Sequence, residues 1–182
     1  MRPEAKKAVA ALKSMKIHTI LLTGDTSVVA GAVARGLDID EFEAELMPEL
    51  KAARVKELVR KGRVVAMVGD GVNDAPALSA ANVGVAMGSG TDVARESADI
   101  VLLGNDLVRF VETVALSRRA RRIIWFNFTG TVLVDVVGIA FIFMGYVGPV
   151  MAAIIHTASE LAFILNSARL LPRISRFLAF PA

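Results

Sequence analysis

Up to about Val114, short apolar runs alternate with polar stretches of ordinary charge density, the pattern of strands and helices taking turns in an α/β domain. RPEAKKAVAALKSMKI, directly after Met1, has the spacing of an amphipathic helix with Pro3 near its first turn. His18–Leu22 (HTILL) reads as a short apolar strand and Glu49–Lys61 as a helix. Arg63–Val68 (RVVAMV), β-branched and apolar, reads as a buried parallel strand. Beyond Arg122 the alternation stops. Ile123–Val147 has Asp135 as its single charged residue and is long enough to cross a hydrocarbon core of about 30 Å. Val150–Leu171 is a second such span, carrying His156, Glu160 and, close to its end, Arg169. The short uncharged turn GYVGP at Gly145–Pro149 makes the pair a helical hairpin. The pattern therefore predicts a domain over 1–114, a basic juxtamembrane segment over 115–122, transmembrane helices over 123–147 and 150–171, and a tail over 172–182.

Charge orients that hairpin. Arg118, Arg119, Arg121 and Arg122 precede the first span, and Arg169, Arg173 and Arg176 close the second. The positive-inside rule then places residues 1–122 and the tail in the cytoplasm. These flanks largely explain the formal net charge of +3, and no interleaving of basic and aromatic residues supports a nucleic-acid partner. The apolar segments lie at the wrong end for a signal peptide. Without cysteine, the sequence has neither disulfides nor thiolate metal ligands.

The candidate chemistry centres on MVGDGVNDAPAL, Met67–Leu78. Asp70 falls at the carboxyl end of the expected strand, where open α/β sheets bind ligands. Gly69 and Gly71 allow a sharp turn, and Asn73 and Asp74 open the following helix. Hard oxygen ligands at such a point suit Mg²⁺, which takes part of its shell from carboxylates and phosphate. A lone GDG would be a plain strand-turn-helix corner with solvated acids. The whole string reads as a magnesium and phosphate site. Thr23 and Gly24 follow the strand His18–Leu22, where a hydroxyl and a backbone N–H can hydrogen-bond phosphoryl oxygens. Lys51 by itself is one surface lysine among many.

Four strings in order carry a family resemblance: LLTGD at Leu21–Asp25, PELK at Pro48–Lys51, GDGVNDAPAL, and MGSGTDVARESADIVLL at Met87–Leu103. Together they resemble the second half of the phosphorylation domain of a P-type cation-transporting ATPase. The resemblance implies a haloacid-dehalogenase-like fold, a Rossmann-type parallel sheet, here incomplete, on which an aspartate is transiently phosphorylated. It implies that Asp70 holds Mg²⁺ with Asp74 supporting its shell, and that Thr23, Gly24 and Asn73 bind phosphoryl oxygens. Lys51 would neutralise charge on the attacked aspartate and the transferring group. Asp25 would set the strand-end loop near the nucleotide, ATP having most of its site outside this chain. Thr26 stands where the family usually has Asn. Asp92, Arg95 and Glu96 read as pairing or capping residues without chemistry.

The phosphorylated aspartate of the family's DKTGT string is missing, as are its TGE loop and a nucleotide-binding domain. The chain is accordingly expected to be a carboxy-terminal piece of a pump, whether fragment, split-gene subunit or truncated form, with the remaining part of the pump as its partner. By itself it should not hydrolyse ATP through a phosphoenzyme. Two other readings stay open: a membrane-anchored haloacid-dehalogenase-type phosphatase, since such enzymes also carry GDGxND, and a non-catalytic subunit or regulator that pairs with a pump.

Inside the spans, Asp135 comes out about 18 Å from one face and Glu160 about 15 Å from the other, at a 1.5 Å rise per residue. The two carboxylates can therefore face one another. His156 and Glu160, at i and i+4, share a helix face with Ser159 adjacent. Ionisable groups in a membrane are costly unless paired or metal-bound, so these residues are candidate ligands of a transported ion or a buried cluster that fixes helix packing. The spans look most like the last two helices of the heavy-metal-transporting class, with HTASELAFILNSARLL at His156–Leu171 resembling its last helix. The resemblance implies a divalent ion such as Zn²⁺, Co²⁺, Mn²⁺, Fe²⁺ or Cd²⁺, and histidine with carboxylates favours a borderline or harder divalent ion over soft Cu⁺. Met144 and Met151 read as lipid or packing residues. The implied location is a multi-pass position in a bacterial cell membrane.

Overall fold

A computed structural model describes residues 3–70, 72–88, 90–102, 104 and 106–171. Gly71, Leu103, Arg173, Arg176 and the rest of the tail, all singled out by the sequence, lie outside the described residues. The chain divides into two compact units, Met1–Thr113 and Val114–Ala182.

The first unit alternates helices and parallel strands. Helix α1 (Pro3–Ser14) leads to β1 (Ile20–Leu22), α2 (Ser27–Leu37) and β2 (Glu41–Glu43). Helix α3 (Pro48–Arg60), β3 (Ala66–Gly69), α4 (Ala75–Ala80), β4 (Val83–Ala86), α5 (Asp92–Glu96) and β5 (Ile100–Val101) complete the unit. β1 and β2 run parallel with Leu21 opposite Phe42, while β3, β4 and β5 form a second parallel sheet with β4 in the centre. Among the described residues β1 pairs with β2 alone and β3 with β4 alone. Even so, Leu22 of β1 and Met67 of β3 pack against one cluster, built on Ala52 and Val55 of α3 and Ala77 of α4. Small residues let these layers approach: an added Cβ on Gly31 of α2 would stand 3.3 Å from the Phe42 ring of β2.

Local chemistry sets the ends of these elements. Pro48 enters α3 in its first turn, where a missing N–H costs nothing. α2 stops at Asp38, which takes a left-handed conformation (φ 59°) and donates its N–H to the Ala34 and Arg35 carbonyls. Asp40 accepts the Thr19 hydroxyl at 2.7 Å and the Thr19 N–H at 2.8 Å, and Lys13 lies 3.1 Å away. Those two hydrogen bonds, then Lys13, hold its carboxyl down at about 2.

Two strands are shorter than the sequence implies. β3 covers Ala66–Gly69 rather than Arg63–Val68: Val64 is 89% exposed and the Val65 N–H donates to the Asn82 side chain instead of a ladder. β1 begins at Ile20, because the Thr19 N–H is taken by Asp40.

Among the described residues, two helices, α6 (Leu107–Phe143) and α7 (Pro149–Ser167), are long and apolar enough to cross a membrane. The basic juxtamembrane segment 115–122 lies within α6 and is helical throughout. At 37 residues α6 is about 55 Å long, well beyond a hydrocarbon core. It closes at Phe143 through a left-handed Gly145 (φ 76°). The Gly145 N–H bonds the Ile142 carbonyl and the Tyr146 N–H the Phe141 carbonyl, with the Phe141 and Tyr146 rings 6.1 Å apart, which makes a Schellman cap with its apolar contact. Gly148 and Pro149 then start α7.

Candidate functional site

The carboxyl ends of β1 and β3 carry the two predicted loops. After β1 the chain folds back on itself: the Thr23 N–H bonds the Glu43 carbonyl, and the Asp25 N–H returns to Thr23 Oγ1. The Thr23 hydroxyl donates to Asp25 Oδ2 at 3.1 Å, so Asp25 braces the loop. Gly24 has room, since a Cβ there would meet nothing closer than the Leu46 carbonyl at 3.5 Å.

After β3, Asp70 is exposed, and Val72–Asp74 forms a turn of 3₁₀ helix before α4. Asp74 stands at the N-cap position of α4 without capping it. Its side chain turns instead over Gly69, where an added Cβ would lie 2.7 Å from Asp74 Cβ and 3.0 Å from Oδ2. The sequence assigns Gly69 to backbone freedom in a tight turn. The structure gives a different reason: a close approach, with Gly69 absent from the glycines of positive φ. Asp74 Oδ1 is 2.9 Å from Lys51 Nζ, and both side chains are shielded, at 15% exposure for Lys51 and 14% for Asp74. Pro48 and the first turn of α3 thus deliver Lys51 to the β3 turn. Asn73 is exposed. No hydrogen bond or ion pair among the described residues joins the Thr23–Asp25 loop to the Asp70–Asp74 turn. Of the residues left without chemistry, Asp92 and Arg95 meet loosely at 4.0 Å, and the cap of α5 is Thr91, which accepts the Ala94 N–H at 3.3 Å.

In the hairpin, Asp135 and Glu160 do not meet directly. His156 stands between them, Nδ1 2.9 Å from Asp135 Oδ1 and Nε2 3.4 Å from Glu160 Oε1. With the carboxylates on opposite edges of the ring, the arrangement is a chain, and no group of three such ligands among the described residues could hold one metal ion as placed. The Ser159 hydroxyl donates to the His156 carbonyl at 2.7 Å, back-bonding into its own helix. Met144 and Met151 are exposed.

Sequence reasoning missed a polar junction between the same helices. Asn127 Nδ2 donates to Ser167 Oγ at 2.8 Å and to the Phe163 carbonyl at 3.1 Å, and Asn166 Nδ2 donates to Asn127 Oδ1 at 2.7 Å. A Cβ on Gly130 would run into the Phe163 ring, so the helices touch closely one turn away. Amides within apolar runs were the available signal.

Residues 1–82 match a family described as haloacid dehalogenase-like hydrolase. Over 173 residues the chain is 47% identical to the manganese-exporting P-type ATPase of Mycobacterium tuberculosis, covering 94% of this chain and 24% of that protein. It is 44% identical to copper-transporting ATPase 1 of Mus musculus, over 92% of this chain and 12% of that protein. The crystal structure of a zinc-transporting PIB-type ATPase in its E2.Pi state superimposes with a TM-score of 0.88 at 37% identity, over 94% of this chain and 28% of that one. Over nearly its whole length, then, the chain is similar to part of the heavy-metal P-type ATPases.

It spans about a quarter of the manganese exporter's length. The parallel-sheet unit is similar to the haloacid-dehalogenase-like part of these ATPases, and the two long apolar helices to their membrane part. Relatives named for manganese and for copper stand at 47% and 44% identity, so overall likeness does not choose the metal.

Proposed function

We propose that this chain supplies the magnesium- and phosphate-binding half of the phosphorylation domain, and a transmembrane hairpin, of an ATP-driven divalent heavy-metal efflux pump whose phosphorylated aspartate lies outside these residues. The observation that carries this reading is the shielded Lys51–Asp74 pair, folded over Gly69 beside the exposed Asp70 at a strand's carboxyl end. Asp70 and Asp74 offer hard carboxylate oxygens, a donor set that fits Mg²⁺. Bound there, Mg²⁺ would neutralise charge on phosphoryl oxygens. The Thr23 hydroxyl, the Gly24 N–H and Asn73 orient the phosphoryl group, Lys51 adds a cation, and Asp25 braces the loop near the ATP site. Asp135, His156 and Glu160, with Ser159 as a weaker contributor, serve the exported ion. A cation entering there displaces the imidazole from one of its carboxylates, and nitrogen and oxygen donors suit Zn²⁺, Co²⁺, Mn²⁺, Fe²⁺ or Cd²⁺ over Cu⁺. Basic flanks keep residues 1–122 and the tail on the cytoplasmic side of a bacterial membrane.

The test is Asp70→Asn in the full-length protein. Mg²⁺-dependent phosphoenzyme should disappear while the protein remains folded in the membrane. Normal labelling by ATP in that variant would remove Asp70 from the metal role. Acid-stable labelling of an aspartate in the isolated chain would show that the nucleophile lies within it.

A further inference from the structure

Asp70 needs an orientation that its own side chain does not secure. Among the described residues its carboxylate makes no hydrogen bond or ion pair, so what limits where it can reach is its backbone, which sets the position of Cα and the direction of the Cα–Cβ bond. Mg²⁺ demands near-ideal octahedral geometry at about 2.0–2.1 Å from its ligands, which leaves little tolerance for a shifted main chain.

The main chain at Asp70 is gripped from behind by the segment that follows β4. At the last ladder residue of β3 the Met87 N–H bonds the Gly69 carbonyl at 2.9 Å, and one residue further on the Thr91 N–H bonds the Asp70 carbonyl at 3.2 Å. That segment is closed on itself, the Gly90 N–H donating to the Met87 carbonyl at 2.8 Å, and is tied down by a Gly88 N–H to Gly104 carbonyl bond at 3.0 Å. Thr91 is extended (φ −63°, ψ 157°), and its hydroxyl accepts from Ala94, which is completely buried. The grip is therefore rooted in the core. Gly90 lies in its jaw: an added Cβ would stand 2.8 Å from the Met87 carbonyl and 3.3 Å from the Asp70 carbonyl. Both obstacles are backbone, so no flexible side chain can move aside.

We propose that Gly90 and Thr91 are positioning residues for Asp70, setting, through this grip, where its carboxylate can reach; the proposal rests on the magnesium reading of Asp70. In the full-length protein, Gly90→Ala inserts a methyl group into the jaw. Thr91→Pro keeps a φ that proline accepts but replaces the donating N–H with a ring carbon. Thr91→Ser retains both bonds.

Two titrations with Mg²⁺ read the effect: phosphorylation from inorganic phosphate, and the rise in melting temperature with Mg²⁺ alone. Gly90→Ala and Thr91→Pro should raise the half-saturating Mg²⁺ about 10-fold or more in both, the range found when a partner that orients a ligand is lost. Maximal phosphorylation should recover at high Mg²⁺, and Thr91→Ser should match the parent protein. An unchanged midpoint in either variant that folds, with only the maximum reduced, overturns the proposal. Asp70→Asn separates the two levels: if it leaves both midpoints unchanged, the magnesium reading itself has failed.

Discussion

Gly69→Ala tests whether the space above β3 is set by packing. The new Cβ would arrive 2.7 Å from Asp74 Cβ and 3.1 Å from its Cγ. Carbon atoms prefer about 3.5–4.0 Å, so Asp74 must retreat by about 1 Å. Forcing a methylene into a packed position costs about 1–3 kcal/mol. The retreat also draws Oδ1 away from Lys51, and a pair this shielded adds about 1 kcal/mol, between the values for exposed and buried pairs. The sum is about 2–4 kcal/mol, a drop in melting temperature of about 8–16 °C for a unit of this size. Gly24→Ala is the internal control. Its Cβ meets only the Leu46 carbonyl, at an ordinary 3.5 Å, and its φ is not in the left-handed region, so stability should hold or rise by about 0.4–1 kcal/mol. Thermal unfolding of the detergent-solubilised chain by far-ultraviolet circular dichroism makes the comparison. A Gly69→Ala melting point within about 2 °C of the parent, or an equal loss in Gly24→Ala, would refute the packing argument.

Two further predictions concern the hairpin and the α1–β1 corner. In the full-length protein, His156→Ala or Glu160→Gln should raise the concentration of Zn²⁺, Co²⁺ or Mn²⁺ needed for half-maximal turnover, with phosphorylation by inorganic phosphate less affected; an unchanged concentration together with lower yield would mark a packing cluster. Asp40, held at about 2 by Thr19 and Lys13, contributes stability that is complete above about pH 4 and lost as pH falls through about 2. Asp40→Asn should thus lower the melting temperature at neutral pH and flatten its fall between about pH 4 and pH 2, and an unaltered pH profile would show that the carboxylate does nothing there.

The turn after β3 was legible because its chemistry is contiguous: an apolar strand, glycines, then carboxylates and an amide within a few positions. The strand limits were not, because they depend on where distant groups bond. Asn82 captures the Val65 N–H and Asp40 captures that of Thr19, and neither partner is a sequence neighbour. β2 and β5 escaped notice for the same reason: EFE and a two-residue IV have no periodicity, and their partners alone make them strands. Lys51 could be nominated by motif, but its contact with Asp74 spans 23 positions. In the hairpin, arithmetic on helical rise brings Asp135 and Glu160 to similar depth without showing that an imidazole stands between them. Asn127 escaped because its role appears only once Asn166 and Ser167 face it across the helix pair.

The Lys51–Asp74 pair has a thermodynamic corollary. One ammonium group cannot serve a carboxylate and an incoming phosphoryl group at full strength simultaneously, so an anion that draws Lys51 away leaves Asp74 more negative and more attractive to a cation. Linkage then runs both ways: whatever factor phosphate adds to the affinity for a divalent cation at this turn, the cation must add to the affinity for phosphate. On the proposed magnesium and phosphate reading, a lysine exchanged between two partners would make those two ligands cooperative without any change of fold.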